Sequence, residues 1–202
     1  MNYDKKKLSI LLSGLKEIKN LKINLEQYQT EGEIAGDILW RAFLNNDING
    51  KIIADLGSGN GVFGIGAFLL GAKKVYFLDK DEEALETAKE NYKNLKLKKG
   101  IFVNKDISEF NEKINTTIMN PPFGVQNEHM DKIFLEKAME LSNKIYSLHK
   151  IESKNFIRKL CEKNKFMIEE IKSYDFLIKQ SYKFHKSKSY YVKVGCWTLR
   201  KC

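Results

Sequence analysis

The stretch Asn120-Pro121-Pro122-Phe123 contains the only two prolines of a 202-residue chain and directly follows the short apolar run Thr117-Ile118-Met119. A carboxamide, two rigid residues and an aromatic ring suit one chemical task. The exocyclic amine of adenine or cytosine is a poor nucleophile, because its lone pair is delocalised into the ring. The Asn120 side-chain oxygen and the Pro121 carbonyl form a natural pair of acceptors for the two amine protons, and accepting them favours a tetrahedral nitrogen. Proline fixes φ, and a residue before proline is biased to extended backbone. The pair would therefore be held before substrate arrives, which is the preorganisation that catalysis rewards. Phe123 would stack on the face of the base, and Gly124 would let the chain turn away. The plain alternative is a strand that ends in an Asn-Pro turn.

A second constellation lies upstream. Gly59-x-Gly61-x-x-Gly64, with Asp79 about 20 residues beyond its first glycine, formally matches the dinucleotide fingerprint. An NAD-dependent oxidoreductase is thus a rival. Two details favour another cofactor. The loop opens with an acid, Asp55, and its first glycine is Gly57. This Asp-x-Gly-x-Gly-x-Gly spacing resembles the first motif of S-adenosylmethionine-dependent methyltransferases. Glycines let the backbone approach an amino acid and a ribose where a Cβ would obstruct. A carboxylate repels a pyrophosphate but not an ammonium, so Asp55 would either orient the loop or reach the cofactor's amino group. Asp79 would accept from both ribose hydroxyls, and Asp106 from the adenine amine. Each acid, taken singly, is equally an ordinary helix cap.

The elements that position these residues follow from periodicity. An amphipathic helix carries Leu8, Leu11, Leu12, Leu15 and Ile18 at spacings of three and four, and a second runs from Ile34 to Phe43. Strands are expected at 51–57, 73–79, 101–106, 114–120 and 144–150. They alternate with helices at 60–72, 81–95, near 128–143 and at 152–164. The stretches 165–176 and 189–199 are rich in β-branched and aromatic residues with no helix between them, so they read as an antiparallel pair. The fold expected is α/β: a Rossmann-like, doubly wound, seven-stranded sheet, mostly parallel with a C-terminal antiparallel hairpin. One domain spans 1–202, with an N-terminal helical extension over about 1–48. In such sheets ligands bind outside the carboxyl ends of the strands, and Asp55, Gly57, Asp79, Asp106 and Asn120 all fall there.

Composition narrows the class. At 43% hydrophobic and 11% aromatic residues the chain is globular rather than disordered. A formal net charge of +9 favours an anionic partner such as nucleic acid. Cys161, Cys196 and Cys202 are odd in number and lack zinc-like spacing, so they read as reduced thiols in a cytoplasmic protein. No apolar stretch approaches a membrane span, and nothing in the motifs demands a metal. The segment Lys179–Lys193 carries five lysines, one histidine, four aromatics and no acid. Basic residues interleaved with rings suit single-stranded nucleic acid, with Lys183, His185, Lys186 and Lys188 as the contacts. Tyr190 and Tyr191 read as alternate core positions.

Six segments, Asn24–Thr30 (NLEQYQT), Asp55–Ala72, Phe77–Leu85, Ile118–Gly124, Tyr146–Lys150 (YSLHK) and Ser181–Ser189, run in order over nearly the whole chain. Together they resemble the archaeal and eukaryotic methyltransferase-like protein five family, which methylates one adenine of small-subunit ribosomal RNA at N6. The resemblance implies S-adenosylmethionine as cofactor, with Gln27, Tyr28 and Thr30 in a segment that closes over it. It also implies Gly57, Asn60, Gly61 and Val62 along the loop, Asp79 at the ribose, Asp106 at the adenine end, and Asn120 to Phe123 as the catalytic group. A small zinc-containing activator subunit that pairs with a sheet edge is implied as well. The chain departs from the family at Asn60, where eukaryotic members carry cysteine, and at Gln29–Glu33, where proline and basic residues are usual. Two other readings stay open: a methyltransferase acting on a protein glutamine amide, and a nucleic-acid-binding protein that keeps the fold without catalysis.

Overall fold

The computed structural model describes residues 3–22, 26–123, 130–178 and 190–202. Two helices, α1 (Lys5–Ser13) and α2 (Gly32–Leu44), precede the alternating part of the chain. That part runs β1 (Ile52–Leu56), α3 (Val62–Leu69), β2 (Lys74–Asp79), α4 (Glu82–Asn94), β3 (Gly100–Asn104), β4 (Ile114–Met119), α5 (Met130–Leu141), β5 (Ser142–Lys150) and α6 (Lys154–Asn164). Two long strands, β6 (Phe166–Ile178) and β7 (Tyr190–Lys201), complete one seven-stranded sheet of order β3-β2-β1-β4-β5-β7-β6. Strands β1 to β5 pair in parallel, and β7 is antiparallel to both β5 and β6. The Rossmann-like class and the antiparallel C-terminal pair expected from sequence are therefore present.

The inner strands read as unbroken apolar runs because both faces of the sheet are covered. Successive residues feed opposite cores. Val75 and Phe77 join residues of α1 to α4, while Tyr76 and Leu78 join residues of α5 and α6. Strand order reverses between β1 and β4, which neighbour one another. The chain leaves their carboxyl ends in opposite directions and opens a crevice between them. The register also brings the paired ends Ile178 and Tyr190 to this same carboxyl edge.

Some boundaries differ from the periodicity. The first helix stops at Ser13, because Gly14 caps it with an N–H directed at the carbonyls of Ile10 and Leu11. Leu15 and Ile18 therefore lie in an irregular strap that follows the helix, not on its apolar stripe. Strand β3 ends at Asn104, so Asp106 is not at its tip. Instead Asp106 caps the 3₁₀ turn Ile107–Glu109, accepting hydrogen bonds from the Ser108 N–H at 3.0 Å and hydroxyl at 2.8 Å.

One buried acid ties α1, α2 and β6 together. Asp37 accepts hydrogen bonds from Lys172 at 2.7 Å, from the Tyr174 hydroxyl at 2.6 Å, and from Lys5. Burial alone would raise its pKa, but the bonds from Lys172, Lys5 and Tyr174 outweigh burial and hold it down to about 2. A carboxyl depressed in the folded state stabilises the protein above its unfolded pKa, and that stability is lost as pH falls through the folded value. From the ordinary 3.8 to about 2 the contribution is about 2 kcal/mol. Asp37→Asn is expected to lower the unfolding free energy at pH 7 by about that amount. It should also flatten the stability loss between about pH 4 and pH 2, as measured by urea denaturation across a pH series.

Candidate active site

The glycine loop after β1 is folded by its own hydrogen bonds. Gly57, Gly59 and Gly61 have φ of +69°, +53° and +84°, a left-handed backbone that side chains with a Cβ rarely adopt. The N–H groups of Gly57 and Ser58 donate to the Leu78 carbonyl of β2 at 2.8 and 2.9 Å, and the Gly59 N–H donates to Asp79 Oδ2 at 2.9 Å. Asp79 Oδ1 accepts from the Asp81 N–H. Asp79 thus spans the loop and the start of α4 while still facing the crevice. Its burial raises its pKa, and the hydrogen bonds from Asp81 and Gly59 only partly offset this.

Asp55 takes a different place from the cofactor contact anticipated in sequence. It is 1% exposed, does not line the crevice, and accepts the Gly64 N–H at 2.8 Å on Oδ2. Of its two anticipated roles, orienting the loop is the one its geometry supports. Gly61 also turns away from the crevice: a Cβ there would lie 3.1 Å from the Ala88 methyl of α4. At Gly64 a Cβ would fall 2.2 Å from the Phe77 ring. The last two glycines of the apparent dinucleotide fingerprint therefore allow helix and sheet to pack closely and need no pyrophosphate to explain them.

Strap residues from 16–22 and 26–30 form the opposite wall, and polar contacts hold them. The Asn91 side chain of α4 accepts from the Lys16 N–H at 2.8 Å, and its amide donates to the carbonyls of Lys16 and Asn60. Further along, Lys22 and the Gln27 amide both bond to Asp81, each at 2.6 Å, while Gln27 Oε1 accepts from the Lys22 N–H. Gln27 thus lines the crevice but spends both polar atoms of its side chain on this latch.

Strap and loop enclose a crevice of about 950 Å³, counting its solvent-open mouth. From the anticipated residues it brings together Gln27, Tyr28, Thr30, Gly57, Asn60, Val62, Asp79, Asp106, Asn120 and Pro122. Asn120 follows β4 directly. Its amide nitrogen donates to Thr30 Oγ1 at 3.1 Å and to the Tyr28 carbonyl at 3.4 Å. A carbonyl can only accept, so this contact fixes which end of the amide is nitrogen. The other end, Oδ1, is buried and has no hydrogen-bond partner among the described residues. Two more buried polar atoms of crevice residues are unpartnered, Ser58 Oγ and Gln29 Nε2. Buried polar groups are normally satisfied, so three such atoms around one crevice mark a site shaped for a polar ligand.

Pro121 and Phe123 do not line the crevice. Phe123 is 7% exposed, stacked on Tyr28 at 5.7 Å between ring centroids and set edge-to-face with Phe176 at 6.0 Å. The open stacking face expected for it is covered by Tyr28. Ser147 and His149, from the segment Tyr146–Lys150, form a buried pair at 2.7 Å on β5, away from the crevice lining. Burial lowers the His149 pKa to about 3 and keeps the ring uncharged. Lys183, His185, Lys186, Lys188 and Gly124 lie outside the described residues. Sequence reasoning missed Ser58, Gln29 and the Lys22–Asp81 latch. Asp81 fell inside the helix expected at 81–95, whereas it caps that helix, and a partner 59 residues away leaves no local signal.

A seven-stranded sheet with a glycine loop after β1, an acid at the end of β2 and Asn-Pro-Pro-Phe after β4 defines a class I methyltransferase whose cofactor is S-adenosylmethionine. The family profile described as methyltransferase small domain matches residues 29–170, and the chain belongs to that family. It is 37% identical to the rRNA N(6)-adenosine-methyltransferase METTL5 of Danio rerio, over 94% of this chain and 95% of that protein. It is 34% identical to the Mettl5 enzyme of Drosophila melanogaster, over 95% and 94% respectively. The crystal structure of a proposed RNA methyltransferase from Pyrococcus horikoshii superimposes with a TM-score of 0.92 at 41% identity, covering 100% of this chain and 99% of that one.

The cofactor assignment separates the two readings of the glycine loop. Calorimetry is expected to show S-adenosylmethionine binding and no NAD binding. Asp79→Ala should weaken S-adenosylmethionine binding by about 1–3 kcal/mol, the cost of leaving polar groups unpaired. NAD binding in its place would contradict the site.

Proposed function

We infer that this protein transfers the methyl group of S-adenosylmethionine to the exocyclic N6 amine of an adenosine in RNA, small-subunit ribosomal RNA being the substrate class. The observation that carries this reading is the buried, unpartnered Oδ1 of Asn120, aligned by Thr30 and the Tyr28 carbonyl. Bound cofactor supplies a methyl group on a positively charged sulfur. Gly57, Ser58, Asn60 and Val62 of the glycine loop, with Asp79 and Asp106 beyond it, would hold it, and strap residues Gln29 and Thr30 would face it from the opposite wall. Asn120 Oδ1 accepts a hydrogen bond from the substrate amine. This draws the nitrogen lone pair out of conjugation with the ring. The surplus proton leaves for solvent after transfer, so no strong general base is required.

The target adenine must be single-stranded or flipped from its helix, because its amine is otherwise paired. The net charge of +9 suits phosphate neutralisation. The paired ends of β6 and β7 lie at the carboxyl edge, which supports the basic segment between them, with Lys183, His185, Lys186 and Lys188, as the RNA contact. The enzyme acts in the cytoplasm as one domain, and a small zinc-containing subunit pairs with the exposed edge of its sheet. Among the described residues, no helix is long and apolar enough to cross a membrane.

The test is incubation with isotopically labelled S-adenosylmethionine and separated ribosomal RNAs, followed by nucleoside analysis. Label is expected in N6-methyladenosine of the small-subunit RNA. Label that appears only in protein glutamine, or no transfer at all, would overturn the assignment.

A further inference from the structure

The Tyr28 ring lies on Phe123, where a target base would have to stack. The two rings are nearly parallel, 19° apart, with centroids 5.7 Å apart. The Tyr28 carbonyl touches the Asn120 amide whose other end carries the unpartnered acceptor. Tyr28 is therefore beside the reacting amine by its main chain and over the stacking ring by its side chain. A third ring, Phe176, packs edge-on against Phe123 and fixes it from the side. Phe176 is fully buried on β6, so Phe123 cannot retreat from an incoming base.

We propose that Tyr28 and Phe123 form a two-sided aromatic clamp, with the target base inserting between the rings and Tyr28 its mobile jaw. This rests on the RNA-methylation reading above. Carbon atoms in contact sit about 3.5–4.0 Å apart, so a planar base held on both faces needs about 7–8 Å between the rings. The rings, stacked with centroids 5.7 Å apart, leave no such gap, so the jaw must open by about 3.5 Å, the thickness of one base. Phe123 is buried within the core, whereas Tyr28 is half-buried against it on the strap, so the jaw that moves is Tyr28. Its hydrogen bond from Asn120 is long, 3.4 Å, and yields first, while the bond to Thr30 Oγ1 at 3.1 Å stays made. The clamp reads the π-face, which every base has, and leaves identity to Asn120 and its neighbours.

Tyr28→Phe, Tyr28→Leu and wild type should be compared in single-turnover methylation of purified small-subunit ribosomal RNA, with S-adenosylmethionine affinity from calorimetry and folding from thermal melts. Tyr28→Phe is expected to stay within a few-fold of wild type. Tyr28→Leu keeps an apolar side chain against Phe123 but has no π-face. It should lower kcat/KM for RNA by roughly tenfold or more, as loss of one stacking surface implies, while cofactor affinity changes by a few-fold at most. If Tyr28→Leu matches Tyr28→Phe, the ring is only packing and the clamp is overturned. A loss of turnover fully accounted for by weaker cofactor binding overturns it too. Wild-type protein that methylates no RNA removes the reading beneath the proposal, a result distinct from either.

Discussion

Two hydrogen bonds hold the Asn120 amide, the one to the Tyr28 carbonyl decides which way it faces, and the rest of the site is organised around that choice. With its nitrogen committed to Thr30 Oγ1 and the Tyr28 carbonyl, its oxygen is left buried without a donor. A buried unpaired acceptor costs free energy comparable to a lost hydrogen bond. The fold sustains that cost because β4 delivers Asn120 rigidly and two prolines follow it. A bound amine recovers it. The same strap that aligns Asn120 also closes one side of the cofactor crevice, so the acceptor is in place only when the strap is.

The two walls of the crevice are built differently. The glycine loop belongs to the sheet: Leu78 holds its start, Asp79 its middle, and Asp55 pins Gly64 of the helix that follows. These contacts are buried among apolar residues that pack on both faces of β1 and β2. The strap instead depends on a chain of exposed and half-buried polar contacts, from Lys16 at Asn91 to Lys22 and Gln27 at Asp81. Contacts of that kind open at lower cost than a packed core. A rigid floor and a yielding wall suit a site that must admit a cofactor and then a base.

Much of the sheet was legible because its signals are local. Val75 to Leu78 alternate between two cores, so both positions must be apolar, and the acid or asparagine that ends each run coincides with a strand tip at Asp79 and Asn120. What was not legible depends on partners far apart in sequence. The first helix continued past Gly14 in periodicity alone, because Leu15 and Ile18 are apolar for another reason: Ile18 is buried against the crevice. Asp55 is an acid at a loop, and only its burial and its bond to Gly64 reveal that it props the loop from beneath. Nothing near Phe123 announces that Tyr28, 95 residues earlier, covers its ring. Asp106 suited a strand end, but β3 stops short of it and the side chain serves a short helical turn.

The central claim is that Asn120 acts on the substrate amine and not on the cofactor. Single-turnover methyl transfer by Asn120→Ala, paired with its S-adenosylmethionine dissociation constant, tests it most directly. The rate is expected to fall on the order of a hundredfold or more, as for removal of a preorganised group at a reacting centre, with the dissociation constant changed by no more than a few-fold. Transfer at near the wild-type rate, or a loss that follows cofactor affinity alone, would contradict it.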